Sequence, residues 1–219
     1  LLSKFAFLEN SIIANFFTKN HGKCSGIIYG ATSKKIKNYL QNGNELYLEY
    51  NSKNENALGY FKIEIINPYT SKFFSESKKL NCIVSMLELI KILTVEGQEN
   101  IRIYNLIDKL FYLLNKEDWF TDYVFLELEL LKFIGFDLNI KDFCKHEITN
   151  NRKIYFVENS YKKIIVPNFL VEDCNRKKIT KLDIYNSLNL ISEYMKKNIF
   201  IPNNINFPNT RKNFINYFK

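Results

Sequence analysis

Residues Asn10 to Lys37, NSIIANFFTKNHGKCSGIIYGATSKKIK, set two runs of alternating side chains on either side of a short polar turn. In the first run Ile12, Ala14 and Phe16 alternate with Ser11, Ile13, Asn15 and Phe17. In the second, Cys24, Gly26 and Ile28 alternate with Ser25, Ile27 and Tyr29. A period of two is the signature of pleated strands. The turn from Thr18 to Lys23 holds Asn20 and Gly22, which tolerate positive φ, with His21 at its tip. After Gly30 the chain becomes polar and carries Lys34, Lys35 and Lys37. That segment reads as a basic loop, too charged for a core and suited to solvent or phosphate.

Two further runs extend the pattern. Leu46, Leu48 and Tyr50 alternate with Glu45, Tyr47 and Glu49, and Phe61, Ile63 and Ile65 alternate with Tyr60, Lys62 and Glu64. With a strand from Leu1 to Phe7, five short strands fall within the first 70 residues. That number and size suit a small closed Greek-key barrel of the OB type, whereas a sandwich needs more strands. The chain starts at Leu1 without a methionine, which leaves room for a first strand that is cut short, and no signal peptide is recognisable.

From residue 71 the period changes to that of helices. Ile83, Met86, Leu87, Ile90 and Leu93 form one stripe, and Ile103, Leu106, Ile107, Leu110, Phe111 and Leu114 form another. Asp118 is placed to cap a third helix running to Ile134, apolar around most of its circumference and stopped by Gly135, which makes it the buried centre of a bundle. An irregular lobe at about 142–178 follows, with β-like pieces at Ile154 to Glu158 and Lys163 to Val166. Helix then returns behind a Thr180–Asp183 capping pair, its stripe reading Leu182, Tyr185, Leu188, Ile191, Met195 and Ile199. Pro208 starts a last short helix ending near Phe218. The expected class is therefore α+β, a barrel domain at 1–70 and a helical domain at 71–219 with an inserted lobe.

Charge separates by segment. Residues 1–70 carry a net +3, residues 71–141 a net −2 and residues 142–219 a net +7. Positive ends around an acidic middle suit a polyanion that meets two lobes. No apolar run approaches the ~20 residues that span a bilayer. The four cysteines at 24, 82, 144 and 174 show no paired spacing, as expected of reduced thiols in a cytoplasmic protein.

The segments FFTKNHGKCSGIIYGA, LQNGN (Leu40 to Asn44) and LELELLKFIGFDLNIKDFC (Leu126 to Cys144) occur in an order that resembles the RecO family of bacterial recombination mediators. The strongest pieces are F-T-x-x-H-G at Phe17 to Gly22, Gly26 to Gly30, E-L-x-L-L-x-x-x-G-F at Glu127 to Phe136, and Cys144. The resemblance implies an OB-fold, a helical bundle with an inserted zinc-finger-like lobe, and a role without catalytic turnover. It implies binding of single- and double-stranded DNA, annealing of complementary strands, action with RecR, and help in loading RecA on DNA coated with single-strand-binding protein, in the cytoplasm at the nucleoid. Two departures stand out. The lobe offers only Cys144, His146 and Cys174 toward a tetrahedral zinc site, one ligand short, so no metal and no other cofactor is expected. The central helix reads Tyr123-Val124-Phe125-Leu126-Glu127, without the arginine that many relatives place ahead of a Phe-Glu pair. That leaves Lys132 as the candidate cation for the acidic C-terminal tail of single-strand-binding protein.

The candidate phosphate contacts are Lys19, Lys23, Lys34, Lys35 and Lys37 on the barrel, with Lys162, Lys163, Arg176, Lys177 and Lys178 on the lobe. Tyr29 and Tyr39 flank the basic segment as base-stacking candidates, a role that competes with rim packing. The pair His21 and Cys24 has the residue types of a base and a nucleophile but no acidic residue to orient the imidazole, and neither a phosphate-cradling loop nor a dinucleotide fingerprint is present. The alternative reading is an OB-fold RNA-binding or translation-associated protein, against which the large helical half argues.

Overall fold

In the computed structural model, which describes residues 1–52, 58–149, 152–159, 162–172 and 179–219, β2 (Ser11–Thr18) and β3 (Gly22–Tyr29) pair antiparallel from Ser11 opposite Tyr29 to Thr18 opposite Gly22. That register sets Ile12, Ala14 and Phe16 opposite Ile28, Gly26 and Cys24, on the face that becomes the core. β1 (Ser3–Leu8) pairs with β2, and β4 (Glu45–Asn51) pairs with β5 (Tyr60–Asn67). β5 meets β3 in parallel at Ile27 and Tyr60, giving the order β1-β2-β3-β5-β4. The Gly43 amide donates to the Leu1 carbonyl at 2.8 Å, and the Leu1 nitrogen to the Asn44 carbonyl at 2.9 Å. The start of the first strand thereby reaches the segment ahead of the last edge strand, as an OB-type barrel requires.

Residues 34–39, expected as a loop, form the short helix α1 (Lys34–Tyr39). Ser33 caps it by accepting from the Ile36 amide, and Ile36, Tyr39 and Leu40 turn inward against the barrel core. The three lysines mask this amphipathic turn in the sequence because only one and a half turns of it exist. The core it closes is Ala14, Phe16, Ile28, Ala31, Leu40, Phe61 and Ile63, with the Phe16 and Phe61 rings edge to face at 5.2 Å. Each fully buried Phe or Ile contributes roughly 1.5 to 3 kcal/mol.

The chain divides into two compact units, Leu1–Phe111 and Tyr112–Lys219. The first includes α2 (Ser77–Leu93) and most of α3 (Ile101–Leu113), helices that periodicity alone assigns to a separate bundle. The physical reason is the β2–β3 hairpin tip: the Gly97 amide donates to the Lys23 carbonyl at 2.8 Å, tying the segment between α2 and α3 to the sheet.

In the second unit α4 (Trp119–Phe133) buries Trp119, Tyr123, Val124, Leu126, Leu130 and Leu131. It ends in a Schellman pair, Phe136 N–H to Leu131 O and Gly135 N–H to Lys132 O. Asp118 occupies its cap position without a side-chain capping bond. After α5 (Ile140–Phe143), the lobe expected to be irregular is a three-stranded antiparallel sheet of β6 (Lys145–Thr149), β7 (Arg152–Asn159) and β8 (Lys162–Val166). β6 escaped notice because every one of its residues is exposed, which removes the alternation that marks a strand.

α6 (Lys181–Met195) begins with the expected capping box: Asp183 N–H donates to Thr180 Oγ1, and Thr180 N–H to Asp183 Oδ2. Its buried face is shifted from the expected stripe, with Leu182 62% exposed and Ile184 buried. Ser187 and Ser192 sit on that face and return their hydroxyls to the carbonyls of Asp183 and Leu188, each at 2.7 Å, so polar residues hide where leucines were sought. The helix runs on through a π turn at Lys196–Phe200 before α7 (Asn209–Asn216).

Candidate nucleic-acid interface

The F-T-x-x-H-G turn is built for packing. Phe17 is buried, the His21 amide donates to Thr18 Oγ1 at 3.1 Å, and the Thr18 hydroxyl donates to the Gly22 carbonyl at 3.2 Å. Gly22 has φ +59°, and a Cβ there would lie 1.8 Å from the Gln98 carbonyl oxygen. Lys23 donates its ammonium to the carbonyls of Lys91, at 2.9 Å, and Thr94, at the C-terminal end of α2, where a cation also meets the helix dipole. Lys23 is thus spent on the fold, while Lys19 and His21 remain exposed at the tip.

LQNGN has a similar explanation. Asn44 is buried and accepts from the Thr70 amide while donating to the Tyr39 carbonyl, so one side chain satisfies two backbone groups 31 residues apart. Beside it a Cβ on Gly43 would lie 2.7 Å from Thr70 Oγ1.

Lys34, Lys35 and Lys37 are exposed on α1, and among the described residues none of them has an acidic partner. Asn10 at the β1–β2 turn accepts from the Thr32 amide and hydroxyl, which fixes the approach to α1 against the barrel end. Tyr29 is 57% exposed and its ring lies 5.8 Å from that of Tyr60. Tyr39 instead packs against the barrel core, the rim-packing alternative to stacking.

On the second unit Lys163 is engaged, 2.6 Å from Glu147 and 3.9 Å above the Phe156 ring. Lys145 and Lys153 are likewise matched to Glu158 and Glu172. Lys162 lies in β8, and Arg176, Lys177 and Lys178 lie outside the described residues, as does Cys174. Lys132 is exposed, 3.9 Å from Asp137. A cavity of about 320 Å³ with Phe120, Ile184 and Phe218 in its walls and Lys181 at its edge opens near the start of α4. Lys132 lies roughly 18 Å further along that helix.

The residue that sequence reasoning missed is Arg211, fully buried on α7. Its Nη2 lies 2.6 Å from Glu127 Oε2 on α4 and donates to the Leu188 carbonyl on α6 at 3.1 Å. Burial pushes the Glu127 carboxyl above its ordinary value, opposed by the Arg211 guanidinium and the Tyr123 hydroxyl. The two partners are 84 positions apart, a distance no local pattern spans.

Burial pushes the Cys24 thiol up to about 11, reinforced by Glu96, so at neutral pH it is a protonated, half-buried thiol packed against the barrel core and no activated partner for His21. Among the described residues no group of three or more His, Cys, Asp or Glu is placed to hold a metal ion, and no helix is long and apolar enough to cross a membrane.

The family model for the N-terminal part of recombination protein O matches residues 1–69, and that for its C-terminal part matches residues 75–193. The DNA repair protein RecO of Rickettsia canadensis is 30% identical over 215 residues, covering 91% of this chain and 87% of that protein. The proteins of the same name from Rickettsia typhi and Rickettsia bellii are each 30% identical, covering 99% of this chain and 95% and 93% of theirs. With an OB-type sheet followed by helices, and both halves matched in order, this chain belongs to the RecO family of DNA repair and recombination proteins.

Proposed function

We propose that this chain is a recombination mediator that binds single- and double-stranded DNA and promotes annealing of complementary strands. In this reading it assists RecA loading with RecR on DNA coated by single-strand-binding protein, in the cytoplasm at the nucleoid. The observation that carries the DNA-binding part is the set of three exposed lysines, Lys34, Lys35 and Lys37, without acidic partners among the described residues and gathered on one short helix at the end of the barrel. Cations that neutralise phosphate without reading base edges release counterions on either strand and leave base pairing to supply the specificity, which is what annealing requires. Lys19 at the hairpin tip adds to this surface. Lys162, Arg176, Lys177 and Lys178 are the candidate phosphate contacts of the lobe, whereas the ammonium groups of Lys23 and Lys163 already have partners within the fold. Such work calls for binding and release, with no catalytic group.

RecR and RecA enter through the family resemblance. For the acidic, apolar-ended tail of single-strand-binding protein the candidate cation is the exposed Lys132 on α4, and the cavity lined by Asp118, Phe120, Ile184, Phe218 and Lys181 is a second place where an apolar wall meets a cation.

Replacing Lys34, Lys35 and Lys37 together by alanine is expected to weaken single-strand and duplex binding by similar factors. The salt slope should fall by roughly 0.7 to 0.9 per lost phosphate contact, with the melting temperature unchanged. Anisotropy titrations across a salt series measure both; a slope equal to that of the wild type would take α1 off the DNA surface. Running the same titrations on RNA of equal sequence separates the RNA-binding alternative, for which recognition of the 2′-hydroxyl would make RNA the tighter ligand.

A further inference from the structure

We propose that a cavity in the first compact unit, between β4 and α3, is a binding site for an arginine-bearing segment of a partner protein. The cavity measures about 740 Å³, a size that holds more than one side chain, and every residue of its wall belongs to the unit Leu1–Phe111. α3 contributes Tyr104, Ile107, Asp108 and Phe111, which the helical period sets on one face. Phe111 lies against Gly43, where a Cβ would come 2.8 Å from its ring, and stacks on Tyr69 with centroids 4.7 Å apart. That contact seats this face of α3 beside the approach to β4. On β4 the alternation turns Leu46 toward the barrel core and leaves Glu45, one residue earlier, on the side of α3, where the Tyr104 hydroxyl donates to its carboxylate.

What selects the occupant is charge. Glu45 accepts from the Asn67 amide group and the Tyr104 hydroxyl, both neutral. Asp108 has neither an ion pair nor a side-chain donor among the described residues, and burial together with Glu45 pushes its carboxyl above the ordinary value. Burial, and then the same two carboxylates, also push up the Tyr69 and Tyr104 hydroxyls. The Leu1 amine nearby is held down at about 5 by burial and carries no charge at neutral pH. Glu96 adds a third carboxylate on the hairpin side of the wall, where the Lys23 ammonium is already bound to the carbonyls of Lys91 and Thr94. In a chain of net charge +8, an apolar cleft with unmatched carboxylates repels phosphate and favours a cation. A guanidinium suits it better than an ammonium, because its planar fork carries enough donors to bridge Glu45 and Asp108 while its methylene stem lies along Ile107 and the Tyr69–Phe111 stack. The remaining volume takes an apolar neighbour in the same segment.

The test follows the isotope-labelled full chain by NMR as it is titrated with the peptide acetyl-Leu-Arg-Leu-amide, and with the same peptide carrying citrulline, the uncharged isostere, or lysine in place of arginine. The expected result is saturable shifts at Tyr69, Tyr104 and Asp108 with the arginine peptide, affinity lower by about tenfold with citrulline, and an intermediate value with lysine. Glu45→Gln/Asp108→Asn should lose about tenfold for the arginine peptide and leave the citrulline peptide unaffected. Its melting temperature should equal or exceed that of the wild type, since the change removes a like-charge pair and no ion pair of the fold. Asp108→Asn alone, which breaks no bond of the fold, gives the same readout if the double variant melts early. Equal affinity for the arginine and citrulline peptides, shifts confined to other residues, or unchanged affinity in Asp108→Asn would each overturn the site. None of these outcomes touches the DNA-binding reading, on which this inference does not rest.

Discussion

Arg211→Leu is expected to lose about 3 to 5 kcal/mol of stability, the largest effect of any single change in the second unit. The substitution keeps the apolar bulk on α7 and leaves the Glu127 carboxylate sealed among helices without its cation, which costs more than the ion pair itself contributes. It also removes the donor to the Leu188 carbonyl, so α4, α6 and α7 lose their common tie. The pH dependence follows from the same geometry. Burial raises the Glu127 carboxyl above its ordinary 4.5, and without Arg211 the Tyr123 hydroxyl alone is left to oppose that rise. A carboxyl with a raised folded-state pKa stabilises the fold below its unfolded value and loses that contribution as pH rises through the folded value. The deficit of the variant should therefore be large at about pH 7 and smaller at about pH 4. Urea melts of both proteins at the two pH values measure this, and a deficit independent of pH would mean that Glu127 is not the group left stranded. Restoring neutrality with Glu127→Gln on top of Arg211→Leu should recover part of the loss.

Gly22→Ala is expected to cost roughly 3 kcal/mol or more, because it combines two mechanisms at one position. The backbone there is in the left-handed region, and the new methyl would meet the Gln98 carbonyl, which is backbone and cannot swing aside. Relief requires the hairpin tip to lift from the segment between α2 and α3, breaking the Gly97 to Lys23 bond and the seat of the Lys23 ammonium on Lys91 and Thr94. His21→Ala next to it, with an exposed ring, should stay within about 0.5 kcal/mol of wild type. Thermal melts of the two variants, run side by side, decide whether the turn motif serves folding; a costly His21 change and a silent Gly22 change would reverse the assignment.

What the sequence made legible were the features encoded locally. The alternation of Ile12, Ala14 and Phe16 against Ile28 and Cys24 is a period-two pattern with a turn of fixed chemistry between, and the observed register follows it residue by residue. The Thr180–Asp183 box is equally local and is present as read. Errors arose where the deciding partner lay far away or where polarity concealed burial. The lysines of α1 hid an inward face of Ile36 and Tyr39, and Ser187 and Ser192 took buried positions by satisfying their hydroxyls within their own helix. Arg211 was invisible for the strongest reason, since an arginine on a polar C-terminal segment has no local mark that says its carboxylate waits on another helix. The candidate DNA surface divides the same way. Lysine density pointed to residues 34–37, but only the fold distinguishes those ammonium groups from Lys23 and Lys163, which carbonyls and a glutamate have already claimed.

The proposal that this chain joins strands is tested most directly by following two complementary labelled oligonucleotides, each coated with single-strand-binding protein, as they pair by energy transfer. The wild-type chain is predicted to accelerate pairing well above the rate of the coated strands alone, and Lys34→Ala/Lys35→Ala/Lys37→Ala to lose most of that acceleration as salt is raised. Pairing at the uncatalysed rate with wild-type protein present, under conditions where it demonstrably binds the naked strands, would contradict the mediator role and reduce the chain to a DNA-binding protein.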